Sequence, residues 1–189
     1  MKHLTRKEAK DRARETRRAL QQRKERVEQY REINVVHRKS HELVGRLGVR
    51  YRHSGEEEWT DLGVVSEAVV TNASIAVLVS VLIGGDATTL RNFKWHGTGT
   101  GGTAEASTDT TLVTEIGDPR NQGTQVSPSA GIYRTVAIHT YTDTFTIVEH
   151  GVFSASTGGT LLDRSVFAGI EVEANTQVEF TYDLLLTGA

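Results

Sequence analysis

The sequence predicts a mainly β fold: an antiparallel β-sandwich head with one short helix, preceded by a long basic N-terminal α-helical arm. Three observations carry this. Charge is divided along the 189 residues, although the formal net charge is only −2. Residues 1–53 hold 17 Lys+Arg against 7 Asp+Glu, a net of +10, and residues 54–189 hold 5 against 17, a net of −12. The basic part is built of helix formers with no Gly or Pro before Gly45. The acidic part repeats short alternating apolar and polar runs separated by turn residues. The division places a basic helical anchoring arm at 1–45 and an acidic β-sandwich head at 46–189.

In the arm, Thr5-Arg6-Lys7-Glu8 has capping-box spacing, so a helix is expected from Thr5 to about Tyr30 or Ile33. Ala9, Ala13, Thr16, Leu20, Arg23, Val27 and Tyr30 follow four-three spacing, a weak heptad seam broken by Thr and Arg. A helix with so little apolar surface is not held by its own chain's core, and its stability is expected to come from a partner. Three readings follow: docking on an acidic protein surface, contact with nucleic acid, or weak coiled-coil pairing. Interleaved acids (Glu8, Asp11, Glu15, Glu25, Glu28, Glu32) weigh against nucleic acid.

The head opens with alternation over Leu47–His53, with Leu47, Val49 and Tyr51 on one face of a half-buried strand. Ser54-Gly55-Glu56-Glu57-Glu58 is an acidic turn, and Trp59–Val65 the returning strand. Thr71-Asn72 is a helix start, Ala73–Ile83 a short buried helix, and Gly84-Gly85 its stop; richness in Val and Ile leaves a strand as the alternative. Leu90–His96 is a strand candidate. A Gly/Thr/Ser-rich stretch from Gly97 to about Pro128 reads as loop, with a short apolar piece at Leu112–Ile116. Strands are expected at Ile132–Tyr141, Thr144–Phe153, Leu161–Ile170 and Thr176–Leu186. This spacing suggests an antiparallel sandwich.

Composition excludes several chemistries. With no cysteine, there are no disulfides, thiolate nucleophiles or cysteine-ligated metals. The longest apolar run, Ile75–Ile83, is about half the ~20 residues that span a bilayer. A soluble chain without a secretory signal is expected, with no membrane partner. Gly97-Thr98-Gly99-Thr100-Gly101-Gly102 suggests a phosphate cradle, but the required Lys-Ser/Thr does not follow, and a turned loop is the plainer reading. His96, His139, Glu149, His150 and Asp163 are the residues nearest to a site. Glu149 and His150, adjacent on a strand, point to opposite faces; His139 is expected to face solvent. Neither HExxH nor a nucleophile elbow nor paired His spacing occurs, so structural histidines are expected, with no catalytic residue, cofactor or metal. Asn72-Ala73-Ser74 matches a glycosylation sequon, discounted without an export signal.

One resemblance runs through the head. It lies in Phe93-Lys94-Trp95-His96-Gly97-Thr98-Gly99-Thr100-Gly101-Gly102-Thr103-Ala104-Glu105-Ala106 and Thr108–Glu115, and again in Ile132–Val136, Glu149-His150-Gly151-Val152-Phe153-Ser154 and Leu161–Phe167. These segments resemble small virion structural proteins of tailed bacteriophages and related archaeal viruses, of the capsid-decoration kind. The resemblance covers roughly residues 60–187 and leaves the arm outside it. It implies a non-enzymatic virion protein, assembled in the host cytoplasm, that attaches to the major capsid protein or another virion protein and forms a homo-oligomer through its head. The arm residues expected to meet that partner are Arg6, Arg12, Arg14, Arg17, Arg18, Leu20, Arg23, Val27, Tyr30 and Arg31. A tail, neck or fibre component is the alternative, and a nucleic-acid-binding virion protein is the alternative of another class.

Overall fold

The computed structural model describes residues 43–186, without the side chains of Asp118 and Pro119. The expected arm helix, its seam and the ten residues expected to meet a partner lie outside the described residues.

Among the described residues, ten strands and two helices follow in order: β1 Val44–Arg52, β2 Thr60–Ser66, β3 Val69–Val70, α1 Asn72–Leu82, α2 Thr88–Arg91, β4 Trp95–Gly99, β5 Glu115–Gln122, β6 Thr124–Val126, β7 Ile132–Thr140, β8 Phe145–Phe153, β9 Leu161–Val172 and β10 Gln177–Leu185. They form two five-stranded sheets, ordered β2-β1-β10-β7-β6 and β3-β9-β8-β4-β5, with every pairing antiparallel. The expectation of a mainly β head with antiparallel sheets holds. Leu47, Val49, Val178, Phe180 and Tyr182 of the first sheet and Ile147, Val152, Phe167, Ile170 and Val172 of the second bury one common apolar cluster. Burying each such side chain contributes about 1.5–3 kcal/mol, which makes this cluster the main stabilising term.

The β1–β2 hairpin forms as expected. Gly55 takes φ +80° in its turn, and the Glu56 N–H donates to the His53 carbonyl at 3.1 Å. Val44 and Gly45 already belong to β1. The clearest alternation in the sequence, Val178-Phe180-Tyr182, is fully buried on the central strand of its sheet.

Four readings are corrected. The segment at 90–96 is not one strand: α2 covers its start and β4 begins only at Trp95, so the head has two helices rather than one. The stretch 97–128 is not all loop. It holds the rest of β4 and both β5 and β6, which its Gly, Thr and Pro content hid. His139 does not face solvent: β7 turns Thr135, Ala137 and His139 inward and leaves Ile138 exposed, the reverse of the expected phase. Finally, α1 is a helix but not a buried one. Thr71 caps it, its Oγ1 accepting from the Ser74 N–H at 3.2 Å, and Gly84 at φ +94° follows its end. Only Ser74 is buried, whereas Ile75 is 41%, Val79 49%, Leu82 76% and Ile83 82% exposed.

Candidate functional site

The polar residues singled out in the sequence are brought together, but into internal networks on the two faces of one strand. Glu149 and His150 of β8 do point to opposite sides, and both sides are covered. On the core side, His96 Nδ1 lies 2.9 Å from His150 Nε2, and His96 Nε2 lies 3.0 Å from Thr135 Oγ1. His150 stacks on Phe180 with ring centroids 4.7 Å apart, and His139 meets the same ring edge-on at 5.5 Å. Burial pushes the His96 pKa down to about 3 and that of His139 to about 4, and it holds His150 well below the usual imidazole range. All three are therefore neutral at pH 7. A neutral His–His hydrogen bond needs one donor and one acceptor nitrogen, so the tautomers of His96 and His150 are coupled.

Asp163 of β9 is also fully buried, beside Tyr182 of the facing sheet. Neither its carboxyl oxygens nor the Tyr182 hydroxyl makes a well-formed hydrogen bond among the described residues. Burial raises the Asp163 pKa well above the usual carboxylate range, overriding the pull of the Val152 N–H and the Tyr182 hydroxyl.

On the other face of β8, Glu149 and Arg164 organise the loop between β4 and β5. The Glu149 carboxylate accepts from the backbone N–H groups of Gly101 (3.0 Å), Val113 (3.0 Å) and Thr114 (2.7 Å), and from Arg164 Nε at 2.9 Å. Arg164 directs its remaining nitrogens at the loop. Nη1 reaches Asp109 Oδ2 (3.1 Å) and the Ala104 carbonyl (3.4 Å), and Nη2 reaches the carbonyls of Thr103 (2.9 Å) and Gly101 (3.3 Å). Both terminal nitrogens of the guanidinium are thereby used on one loop.

The glycine motif takes its meaning here. Gly97, Gly99 and Gly101 alternate along β4 and its exit, so they share one face. A Cβ on Gly97 would stand 2.5 Å from Glu115 Oε1, and on Gly99 and Gly101 2.5 and 2.6 Å from Glu149 Oε1. The glycines make room for carboxylates, not for a phosphate. Glu115 in turn holds Arg120 at 2.5 and 2.9 Å, and the Arg120 guanidinium lies 3.2 Å over the Phe153 ring. Sequence reading missed Arg164, Arg120 and Glu115; the signal was the glycine spacing of two, a strand period rather than a helix-entry period.

Two open features remain. An apolar groove of about 220 Å³ lies beside α1, lined among others by Leu43, Ile75, Leu78, Phe93, Leu184 and Leu186. The outward half of α1 is apolar and exposed. Among the described residues, no group of three or more His and carboxylate side chains is arranged to hold a metal ion, and no helix is long and apolar enough to cross a membrane.

Compared with known proteins, the chain matches no family model, no curated protein and no solved structure.

Proposed function

We propose that this chain is a virion structural protein: a capsid decoration or cement protein whose basic arm attaches to the major capsid protein lattice and whose β-sandwich head is displayed outward. The observation that carries the reading is the partition of charge and chemistry. Residues 1–53 concentrate a net +10, and residues 54–189 a net −12. The head's reactive residue types are engaged internally: Glu149 and Arg164 pin a loop, and His96 pairs with His150. Exposed acids line its turns, at Glu56, Glu57, Glu58, Asp86, Asp143 and Glu173. A like-charged display module resists aggregation, while an oppositely charged arm, short of apolar surface, gains order and avidity when many copies bind a lattice. The resemblance over residues 60–187 points the same way.

The arm's cationic excess favours one reading of another class, binding to nucleic acid inside the particle. Co-sedimentation with purified virions of the source virus, beside salt-titrated binding to generic duplex DNA, separates the two. Decoration predicts the protein in stoichiometric amount on the particle surface and weak DNA binding. A steep loss of tight DNA binding with salt, together with protection from surface proteolysis, would overturn it.

A further inference from the structure

A surface helix ordinarily turns charged residues to water. Helix α1 does not. Ser74, Val77, Leu78 and Val81 turn toward the head, and the outward half presents Ile75, Ala76, Val79, Ser80, Leu82 and Ile83. From Ala68 to Gly85 there is no charged residue at all. A helix apolar on both halves is covered on both halves, and among the described residues only one half is covered.

We propose that a second copy of this chain covers the other half, α1 packing antiparallel against α1 across a two-fold axis near Val79. The inference rests on the assembly reading above and names the contact by which heads associate. Spacing supports a helical occupant: Ile75, Val79 and Leu82–Ile83 recur at i, i+4 and i+7/i+8, flanked by the small Ala76 and Ser80, which let two backbones approach. Such a face is complementary to itself, as an isologous contact requires.

Charge supports a copy rather than a different protein. Past residue 53 the chain holds 17 acids against 5 bases, so two heads repel over most of their surfaces. The charge-free stretch is where they meet without that repulsion. The antiparallel sense also sets Leu82 and Ile83 of one copy over Ile75 of the other, which lines the apolar groove.

An 11-residue helix is about 16 Å long, so the contact is small and the dimer weak, with a Kd roughly in the micromolar range. Sedimentation equilibrium of the full chain tests it. The native protein should dimerise with concentration, and Leu82→Glu/Ile83→Glu should weaken dimerisation at least tenfold. Both positions are largely exposed, so the fold should persist, as an unchanged circular dichroism spectrum would verify. Because the chain has no cysteine, oxidising an equal mixture of Ile75→Cys and Ile83→Cys proteins reports the pairing sense: mixed disulfide dimers should clearly exceed the half share that random pairing gives. A monomeric native protein, a dimer indifferent to the double substitution, or a mixed share of a half or less would each overturn the proposal. These outcomes are independent of particle attachment. A monomer that still decorates virions sinks the pairing alone, and a helix-dependent dimer that never joins a particle sinks the virion reading alone.

Discussion

Glu149 and Arg164 form an ion pair with 0% and 1% of their side chains exposed, Oε2 and Nε 2.9 Å apart. Every donor of the guanidinium and both oxygens of the carboxylate find partners, so the pair fixes the 101–114 loop against β8 and β9. Buried pairs add little stability over an apolar substitute, but losing one partner strands the other. Arg164→Met should therefore destabilise the protein by about 3–5 kcal/mol in urea unfolding. Adding Glu149→Gln should cost much less than the sum of the two single changes. A single-variant loss below about 0.5 kcal/mol, the level of an ordinary surface substitution, would show that the pair does not hold the loop.

The glycine motif gives a position-specific prediction. Gly99→Ala and Gly101→Ala place a methyl group against the Glu149 carboxylate and should each cost about 1–3 kcal/mol. Gly102→Ala has open space around its new Cβ and should stay within about 0.5 kcal/mol. Equal effects at Gly101 and Gly102, measured by thermal or urea unfolding, would refute the packing role.

Acid should weaken the fold before the carboxylates titrate. His96, His139 and His150 have folded pKa values depressed below 6.5, so the unfolded chain binds more protons between pH 6.5 and about 4. Their contribution is complete above pH 6.5 and declines as pH falls, by about 1.4 kcal/mol per pH unit for each histidine kept neutral. Unfolding free energy measured from pH 7 to pH 4 should fall steadily. His139→Phe, which keeps an aromatic ring against Phe180, should make that fall shallower.

Asp163 acts with the opposite sign. Its folded pKa is raised above the unfolded 3.8, so its contribution is present below pH 3.8 and lost as pH rises, offsetting one of the three histidines. Asp163→Asn removes the titration while nearly keeping the shape. It should raise stability by about 1.4 kcal/mol for each pH unit between 3.8 and the folded pKa, hence more at pH 7 than at pH 4. A destabilised variant at pH 7 would mean that the carboxylate is needed in its charged form.

β1 and β10, each with one clean apolar phase, lie where alternation put them, and β8 and β9 lie where the turn residues between them marked their limits. β7 shows the limit of that reading. Both of its phases hold apolar residues, and bulk favoured Val136 and Ile138. The core instead takes the smaller Thr135 and Ala137 together with His139, because the rings of His96, His150 and Phe180 already fill that space. β5 escaped notice because Gly117 at φ +75° and Pro119 read as loop signals, and β6 because three residues carry no period. For α1 the run of Val, Ile and Leu implied complete burial, which the described residues supply on only one half. The pairing of Glu149 with Arg164 joins residues 15 apart across a hairpin and was not encoded in local spacing. The glycine period of two was its visible trace.

The central claim, an outward head held to a virion by its basic arm, is tested most directly by particle occupancy. Virions lacking the protein would be incubated with the full chain or with residues 46–189, and bound copies counted by electron cryo-microscopy. The account predicts full decoration by the intact chain and loss of attachment by a head whose circular dichroism still reports folded β structure. Full occupancy by the truncated head would contradict it.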